Sequence, residues 1–437
     1  MHAPPRYRHR DVWRIAAPMI ISGVTVPLLG IVDTAVMGHL EHPRYLAAVA
    51  VGATIFSFLF MGLNFLRMGT TGLAAQAFGS GDAGEQRTVL VQAVLVSLVM
   101  AALLIALQVP VGRLALALIA PEPEVVEPAW TYFSVRIWAA PAALANFALI
   151  GWFIGMQDTR RPLVLMLTVN LTNIALSVLF VVGLGYRTGG VAAASVIAEW
   201  AGLGLGLGQV KRMLPADSHT DWSRVRDPGR LRRMLGLNAN LLTRTLSLMF
   251  VFGFITAQGA RFGTEILAAN AILIQFQYFM SYALDGLAHA AEALAGRALG
   301  ARDAAGFRRS VRLSLVWTLG VAAAFTLVYA AAGPAMLALM TDQPALRATA
   351  ATYLPWIIAS PLVSAWSFLF DGVFVGATWA ESMRNAMLLS AFAVFLPFFY
   401  LTQQAGLGNH GLWLAFLAFM AARGLSMGAI YLRRAPA

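Results

Sequence analysis

Apolar runs of about 20 residues recur along the whole chain, and a run of this length is what a helix needs to cross a bilayer. Short polar segments such as GSGDAGEQR and QDTRRP separate the runs. The sequence therefore predicts an all-α integral membrane protein with twelve transmembrane helices. The predicted spans are 15–38, 46–68, 88–110, 129–155, 162–184, 189–209, 236–257, 266–295, 313–333, 350–376, 385–403 and 409–431.

The composition excludes most alternatives to a membrane protein. The chain is 59% hydrophobic and 12% charged, whereas soluble domains average about 45–50% apolar and about 25% charged residues. Cysteine is absent, which excludes disulfides, thiolate nucleophiles and cysteine metal sites. Histidines are scattered, and neither an HExxH pattern nor a P-loop occurs. We therefore expect no metal site, no cofactor, no enzyme activity and no ATP-driven step.

Lysine and arginine fall mainly on one side of the predicted membrane. With the N-terminus inside, the inner segments hold 22 of the 31 basic residues and the outer loops hold five. Basic residues concentrate in cytoplasmic loops of membrane proteins. We therefore predict a multi-pass protein of a bacterial-type inner membrane with both termini cytoplasmic. This topology accounts for the net charge of +11, so we expect no nucleic-acid partner.

The second half of the chain repeats the first at one constant offset. YLAAVAV at Tyr45 matches ILAANAI at Ile266, and these two positions define the repeat offset. AFGSGD matches ALGARD and GWFIG matches GVFVG at the same offset. Each half holds six predicted spans, an even number, so both halves enter the membrane in the same direction. Such parallel repeats occur in transporters, where the binding site lies between the halves.

This repeat predicts the domain organisation. We expect an N-terminal lobe at 1–210, a cytoplasmic linker at 211–235 and a C-terminal lobe at 236–437. Rocking of one six-helix lobe against the other would expose a central cavity to each side of the membrane in turn. A duplicated structural bundle without a cavity is the alternative.

Polar residues distinguish the two halves. At the repeat offset, Asp33 and Asn173 stand opposite a phenylalanine and a valine, and Asp371 stands opposite an isoleucine. A carboxylate within a membrane helix costs about 2.5–3.5 kcal/mol on insertion scales, so such groups are functional candidates. The alternative for Asp33 is a structural ion pair with Arg67 or Arg244.

Several of these polar residues fall at compatible depth in the first half. Asn173 and Ser177 are four residues apart and share a helix face. Ser195 and, one turn deeper, Glu199 lie on the next span. Together with Asp33 these residues predict a cation or proton site in the outer half of the membrane. A structural ion pair explains Glu199 equally well, and Asn173 has an interhelical hydrogen bond as its alternative role.

A hinge is predicted next to Asp33, and a cavity is predicted between the lobes. Pro27 and Gly30 weaken the first span, because proline removes a backbone hydrogen bond and kinks helices. A static kink is the alternative. The cavity residues have ordinary packing, interhelical bonding or helix capping as alternative roles. They are Asn170, Met61, Phe65, Arg67, Arg244 and Asp371.

The motifs PLLGIVDTAVMGHL and YLAAVAVGATIFSFLFMGLNFLRMGTTGLAAQAFG resemble the multidrug and toxic compound extrusion (MATE) family. YALDGLAHAAEALAGRALGARD and FDGVFVGATWAESMRNAM are similar to the second half of its branch named after the DNA-damage-inducible protein F. The resemblance covers all twelve spans. It implies a secondary-active exporter with two six-helix lobes around a V-shaped cavity, which exchanges organic compounds for inward-moving H⁺ or Na⁺.

The resemblance also implies roles for single residues. The aspartate of the first helix in that branch matches Asp33, the asparagine of the fifth helix matches Asn173, and the hydroxyl of the sixth matches Ser195. Related members carry a second aspartate where this chain has Ser177, which favours H⁺ over Na⁺ as the coupling ion. We expect cationic or aromatic small-molecule substrates, contact with membrane lipid and a monomer.

Two other transporter classes remain as alternatives. A lipid or glycolipid flippase of the same superfamily would share the architecture but move polar lipids. A major-facilitator-type transporter would also have twelve spans in parallel halves. In that superfamily the loop after the second span places aspartate four residues after glycine, whereas GSGD places it three after.

Overall fold

A computed structural model describes residues 7–38, 42–214 and 220–436, without the side chains of residue 24 and residues 26–38. The described residues form helices and connecting turns, with no strand among them. The first half contains α1 (His9–Gly38), α2 (Pro43–Leu63), α3 (Phe65–Ser80), α4 (Ala83–Ala106), α5 (Gln108–Ile119), α6 (Pro123–Arg136), α7 (Ala140–Gly155), α8 (Arg160–Val178) and α9 (Thr188–Met213).

The remaining helices begin after residue 220, the first two of them within the predicted linker. They are α10 (Trp222–Val225), α11 (Pro228–Arg261), α12 (Thr264–Gly300), α13 (Ala304–Met340), α14 (Pro344–Gly376), α15 (Ala380–Leu388), α16 (Leu396–Gln404) and α17 (Gly408–Arg434). A 3₁₀ turn at Ile137–Ala139 joins α6 to α7. A π-helical segment, Leu179–Gly183, extends α8, and another, Leu389–Phe395, joins α15 to α16.

The prediction of an all-α membrane protein is confirmed. Within the described residues, 11 helical stretches are long and apolar enough to cross a membrane. Helix α1, with 30 residues, also exceeds the roughly 20 residues that a bilayer requires. Many helices extend beyond the predicted spans, and α13 covers Ala304–Met340 where 313–333 was expected. The ends carry polar residues that an apolar-run criterion leaves out but that a helix accommodates at the membrane–water interface.

The chain forms two compact units. One unit is Ile21–Met234, and the other joins the residues up to Ile20 to those from Leu235 onward. Helices α1 and α11 are therefore each divided between the two units. The predicted domain limits of 1–210, 211–235 and 236–437 stay a prediction.

Each unit contains a close crossing of two helices at repeated glycines. In the Ile21–Met234 unit, α7 crosses α3 at Gly151, where a Cβ atom would collide with the carbonyl oxygen of Arg67. In the other unit, α14 crosses α12 at Gly372, where a Cβ atom would collide with the carbonyl oxygen of Ala288. Both the glycines and the residues that they contact are related by the repeat offset, so glycine is needed at the same contact in each half.

The turns repeat as well. Gly81 has a φ of 73°, and Arg302, its equivalent in the second half, has a φ of 55°. This left-handed conformation favours glycine, yet the second half adopts it with arginine. The next residues, Asp82 and Asp303, each cap the following helix by accepting a backbone N–H, from Glu85 at 3.0 Å and from Gly306 at 2.7 Å. The backbone thus keeps the repeat where the side chains have diverged.

Candidate functional site

Three residues predicted for the coupling site form a buried hydrogen-bonded group, which we name the Asn173 cluster: Asn173, Ser177 and Ser195. Asn173 Nδ2 donates to Ser195 Oγ at 2.7 Å, and Ser177 Oγ donates to Asn173 Oδ1 at 3.2 Å. Ser195 Oγ in turn donates to the carbonyl of Val191 at 3.1 Å. The cluster is neutral and joins α8 to α9. It offers oxygen atoms to a cation but no charge of its own.

Asn170 lies one turn before Asn173 on α8 and contacts the first helix. Its Nδ2 donates to Thr25 Oγ1 at 2.9 Å, and Thr25 Oγ1 donates to the carbonyl of Ser22 at 2.7 Å. Both Asn170 and Thr25 are half-buried. This bond places α1 beside the helix that carries the Asn173 cluster, two turns before Asp33 along α1.

The side chains of Asp33 and Pro27 lie outside the described residues, as do the side-chain surroundings of Gly30. The helical backbone of α1 is continuous from His9 to Gly38 and so passes through all three positions. The coupling role of Asp33 and the hinge at Pro27 and Gly30 stay predictions.

Glu199 is bonded to a side chain of α7. Its Oε2 accepts from Asn146 Nδ2 at 2.9 Å, and the same amide donates to the carbonyl oxygen of Glu199 at 3.0 Å. The positive charge of Arg136 acts on this carboxylate. Glu199 therefore shares α9 with Ser195 but is held against α7, one turn from the Asn173 cluster.

A different arrangement occupies the second half, where Asp371 lies between two arginines. Asp371 Oδ2 accepts from Arg244 Nη2 and, at 2.6 Å, from Arg423 Nη2. The side chains of Arg423 and Asp371 are 4% and 11% exposed. We name Arg244, Asp371 and Arg423 the arginine–aspartate triad. It ties together α11, α14 and α17, and a carboxylate compensated in this way has little charge left for a cationic ligand.

Met61, Phe65 and Arg67, also predicted for the cavity, differ in their exposure and contacts. Met61 is 44% exposed, whereas Phe65, one turn later, is 5% exposed. Arg67 Nε donates to Asn64 Oδ1 at 3.0 Å, within the turn that joins α2 to α3. The role of these three residues in a cavity stays a prediction.

Sequence reasoning did not assign two residues that hold the charged groups, Asn146 and Arg423. Both had a signal in the sequence. Asn146 is an amide within an apolar span, and Arg423 is a cation within another. A buried cation needs a partner within the protein, so Arg423 was a candidate partner for Asp371. Arg423 and Asp371 are 52 residues apart in the sequence. Tertiary packing brings them together, and no sequence pattern indicates the pairing.

Comparison with known proteins identifies the family. The MatE family profile matches residues 18–179 and again residues 241–401, about three quarters of the chain. The chain belongs to the MATE family. Two successive matches also place one copy of the family unit in each half, in agreement with the internal repeat.

Relatives and solved structures agree with this assignment. The chain is 44% identical over 430 residues to DNA damage-inducible protein F of Escherichia coli (strain K12), covering 97% of this chain and 92% of that protein. It is 25% identical to the multidrug resistance protein PmpM of Pseudomonas aeruginosa, covering 92% and 87% of the two chains. An outward-facing multidrug resistance MATE family transporter of the MOP superfamily has a TM-score of 0.85 at 18% identity, with coverage of 97% and 95%.

Membership in the MATE family makes the chain a multi-pass membrane transporter and not an enzyme. The structural likeness, at 18% identity, concerns the fold alone.

Proposed function

We propose that this chain is a secondary-active exporter of small organic compounds, coupled to inward movement of H⁺ across a bacterial inner membrane. Relatives named multidrug resistance proteins support export of small organic compounds, and we propose that these compounds are cationic or aromatic. The observation that carries the proposal is the hydrogen bond from Asn170 to Thr25, because it sets α1 against the helix of the Asn173 cluster.

This bond gives an expected height for Asp33. Spans one and five run in the same direction when every span crosses the membrane. Asp33 is eight residues beyond Thr25, and Ser177 is seven residues beyond Asn170. At about 1.5 Å of rise per residue, both positions lie roughly 11–12 Å further along their helices. Asp33 therefore adds the carboxylate that the neutral Asn173 cluster lacks.

In the proposed mechanism, Asp33 is ionised while substrate occupies the cavity, and the oxygens of the Asn173 cluster help to solvate a cation there. Protonation from outside removes the charge and with it the attraction to a cationic substrate. Helix α1 then bends near Pro27 and Gly30, and the substrate leaves outward. An ion drives this change only through its different affinities for the two states.

Related members carry a second aspartate where this chain has Ser177, which leaves Asp33 as the main carboxylate beside the neutral Asn173 cluster and supports H⁺ over Na⁺. A desolvated sodium ion needs several oxygen ligands and a compensating negative charge around it, whereas a proton needs one titratable group. The arginine–aspartate triad supplies no second site, because Asp371 is already compensated by Arg244 and Arg423.

The test is efflux of a fluorescent cationic dye from vesicles that contain the purified chain. We expect an imposed pH gradient, acidic on the side that receives the dye, to drive efflux, and an imposed Na⁺ gradient at constant pH to have no effect. Asp33→Asn should abolish the pH-driven component at equal protein content. Efflux driven by Na⁺ alone would contradict H⁺ coupling, and unchanged efflux in Asp33→Asn would remove Asp33 from the mechanism.

A further inference from the structure

The segment 220–234 between the two halves is docked onto the protein. Gln92 of α4 donates from Nε2 to the carbonyls of Arg224 and Val225, at 3.3 and 3.0 Å. Arg87 Nε donates to Thr220 Oγ1 at 2.8 Å. Val225 is 2% exposed. These contacts hold the short helix α10 against the N-terminal half of α4. The side chains on the outer side of the segment therefore form a defined part of the protein surface.

The inward arginines of this segment are neutralised. Arg224 pairs with Asp82 at 3.1 Å and with Asp221 at 3.3 Å. Arg230 pairs with Glu85, and its Nε lies 4.0 Å from Asp227. Asp221 and Asp227 are the acidic residues of the segment, and both are engaged by these inward arginines.

The outward face carries uncompensated positive charge beside a tryptophan, and we name Trp222, Arg226, Arg232 and Arg233 the outer basic face. All four side chains are exposed, Trp222 by 53%. The guanidinium of Arg226 lies 5.7 Å from the centroid of the Trp222 ring. Within the described ranges, no carboxylate forms an ion pair with any of the three arginines.

The helical spacing of α11 separates these two faces. Arg230 and Met234 are one turn apart, and Met234 is buried at 3% exposure. Arg232 and Arg233 are exposed. Residues three or four apart share a helix face. Arg232 therefore points away from the side of Arg230 and Met234, whereas Arg233 lies at the edge of that side with an exposed side chain.

The outer basic face lies at and just before the start of helix α11, which is long and apolar enough to cross a membrane. Helix α11 begins at Pro228 and continues as a membrane-spanning stretch to Arg261. Tryptophan is enriched at membrane–water interfaces. Arginines near the membrane surface attract anionic lipids with about 1 kcal/mol each. The Coulomb attraction and the tryptophan thus favour the same class of ligand, one that presents a negative group at the level of the lipid headgroups.

We propose that the outer basic face binds the phosphodiester headgroup of an anionic phospholipid, with Trp222 in the interfacial layer. Three exposed arginines that form no ion pair with a carboxylate among the described residues attract an anion. The position at the start of a membrane-spanning helix selects a lipid over a soluble anion. This inference depends on membrane insertion and not on the transport mechanism, so it stands or fails separately from the proposed function.

The experiment measures binding of a fluorescent phosphatidylglycerol to the purified full chain in phosphatidylcholine nanodiscs. The variant Arg226→Gln/Arg232→Gln/Arg233→Gln should bind with an affinity lower by about one to two orders of magnitude, from about 1 kcal/mol per arginine. The matched control Arg113→Gln/Arg187→Gln/Arg261→Gln removes three exposed arginines on the opposite predicted side and should bind like the native chain. Thermal unfolding in phosphatidylcholine alone checks that both variants are folded.

Three further arms identify the ligand. Fluorescent phosphatidylcholine should show no difference between the native chain and the variant. Inorganic phosphate and a short single-stranded oligonucleotide should fail to displace phosphatidylglycerol at equal phosphate concentration. Displacement by either one, or equal losses in the variant and its matched control, would overturn the proposal.

Discussion

The two halves share a backbone pattern but hold their buried polar groups in different ways. In the first half the Asn173 cluster is neutral and its members bond to one another. At the equivalent positions the second half carries apolar residues, and elsewhere it holds a buried carboxylate, Asp371, between the two arginines of the arginine–aspartate triad. Neutral hydrogen bonds can exchange partners with little electrostatic cost. Removing one partner from a buried carboxylate between two guanidiniums, in contrast, is strongly destabilising. The comparison supports the proposal that ion coupling lies in the first half and that the triad of the second half is a structural tie.

The largest expected effect comes from breaking the triad. Asp371→Asn leaves Arg244 and Arg423 as buried charges without their anion, and such losses cost about 3–5 kcal/mol of folding free energy. Thermal unfolding of the purified protein measures it. Glu381→Gln is the control, because its carboxylate is 75% exposed and pairs with Arg384 at 3.8 Å; it should change stability by less than about 0.5 kcal/mol.

A second variant tests whether the loss of stability comes from the arginines left without their anion. Arg244→Met/Asp371→Leu/Arg423→Met replaces the whole triad by apolar side chains, a change that is often neutral or stabilising. It should therefore unfold at a temperature near that of the native chain. Equal stability of Asp371→Asn and the native chain would contradict the structural tie.

The next prediction tests the close helix crossing that the two halves share. Gly151→Ala and Gly372→Ala each place a methyl group against a backbone carbonyl at a helix crossing. Overpacking of this kind costs about 1–3 kcal/mol, and we expect similar losses for both. Gly204→Ala and Gly253→Ala are matched controls, since a Cβ atom at either position meets nothing within 4 Å. Controls as destabilised as the crossing variants would show that the close contact is not the cause.

A smaller effect tests the neutral cluster. Asn173→Val introduces the residue type that the second half carries at the equivalent position, and it removes both hydrogen bonds of the amide. We expect a loss of about 1–2 kcal/mol, the range for a buried hydrogen-bonding group. A double-mutant cycle with Ser195→Ala should give a coupling energy above about 0.5 kcal/mol. Strict additivity of the two changes would show that the observed bond contributes nothing.

The smallest effect concerns the helix caps Asp82 and Asp303. Each substitution to alanine should cost about 0.5–2 kcal/mol, as for N-caps in general. The Glu85 backbone N–H, and then Arg224, hold the pKa of Asp82 below its ordinary value. Its contribution is therefore fully present above the pKa of the unfolded chain and is lost as the pH falls through the lower folded value. As the pH falls from 7 to acid values, the unfolding temperatures of Asp82→Ala and the native chain should converge. A difference that stays constant with pH would contradict this.

Most of the fold could be predicted from the sequence. Apolar runs predicted the helices because hydrocarbon thickness imposes a length on each one, and the internal repeat follows from identities such as Gly151 and Gly372. Span limits were too short, because helices such as α13 begin in polar residues before the apolar run and continue beyond the expected end. The partners of buried charges were harder to predict. Nothing in the spacing of Asp371, Arg244 and Arg423, or of Glu199 and Asn146, shows which helix each residue faces.

If ion coupling resides in the first half, the number of protons moved per exported substrate depends on Asp33 and not on the arginine–aspartate triad. In vesicles with an internal pH indicator, addition of substrate to the native chain should produce a proton flux opposite to the substrate flux. Asp33→Asn should transport substrate down its own gradient without proton flux, whereas Arg244→Met/Asp371→Leu/Arg423→Met should keep the native ratio. Proton flux that survives in Asp33→Asn, or is lost when the triad is replaced in a folded protein, would contradict the account.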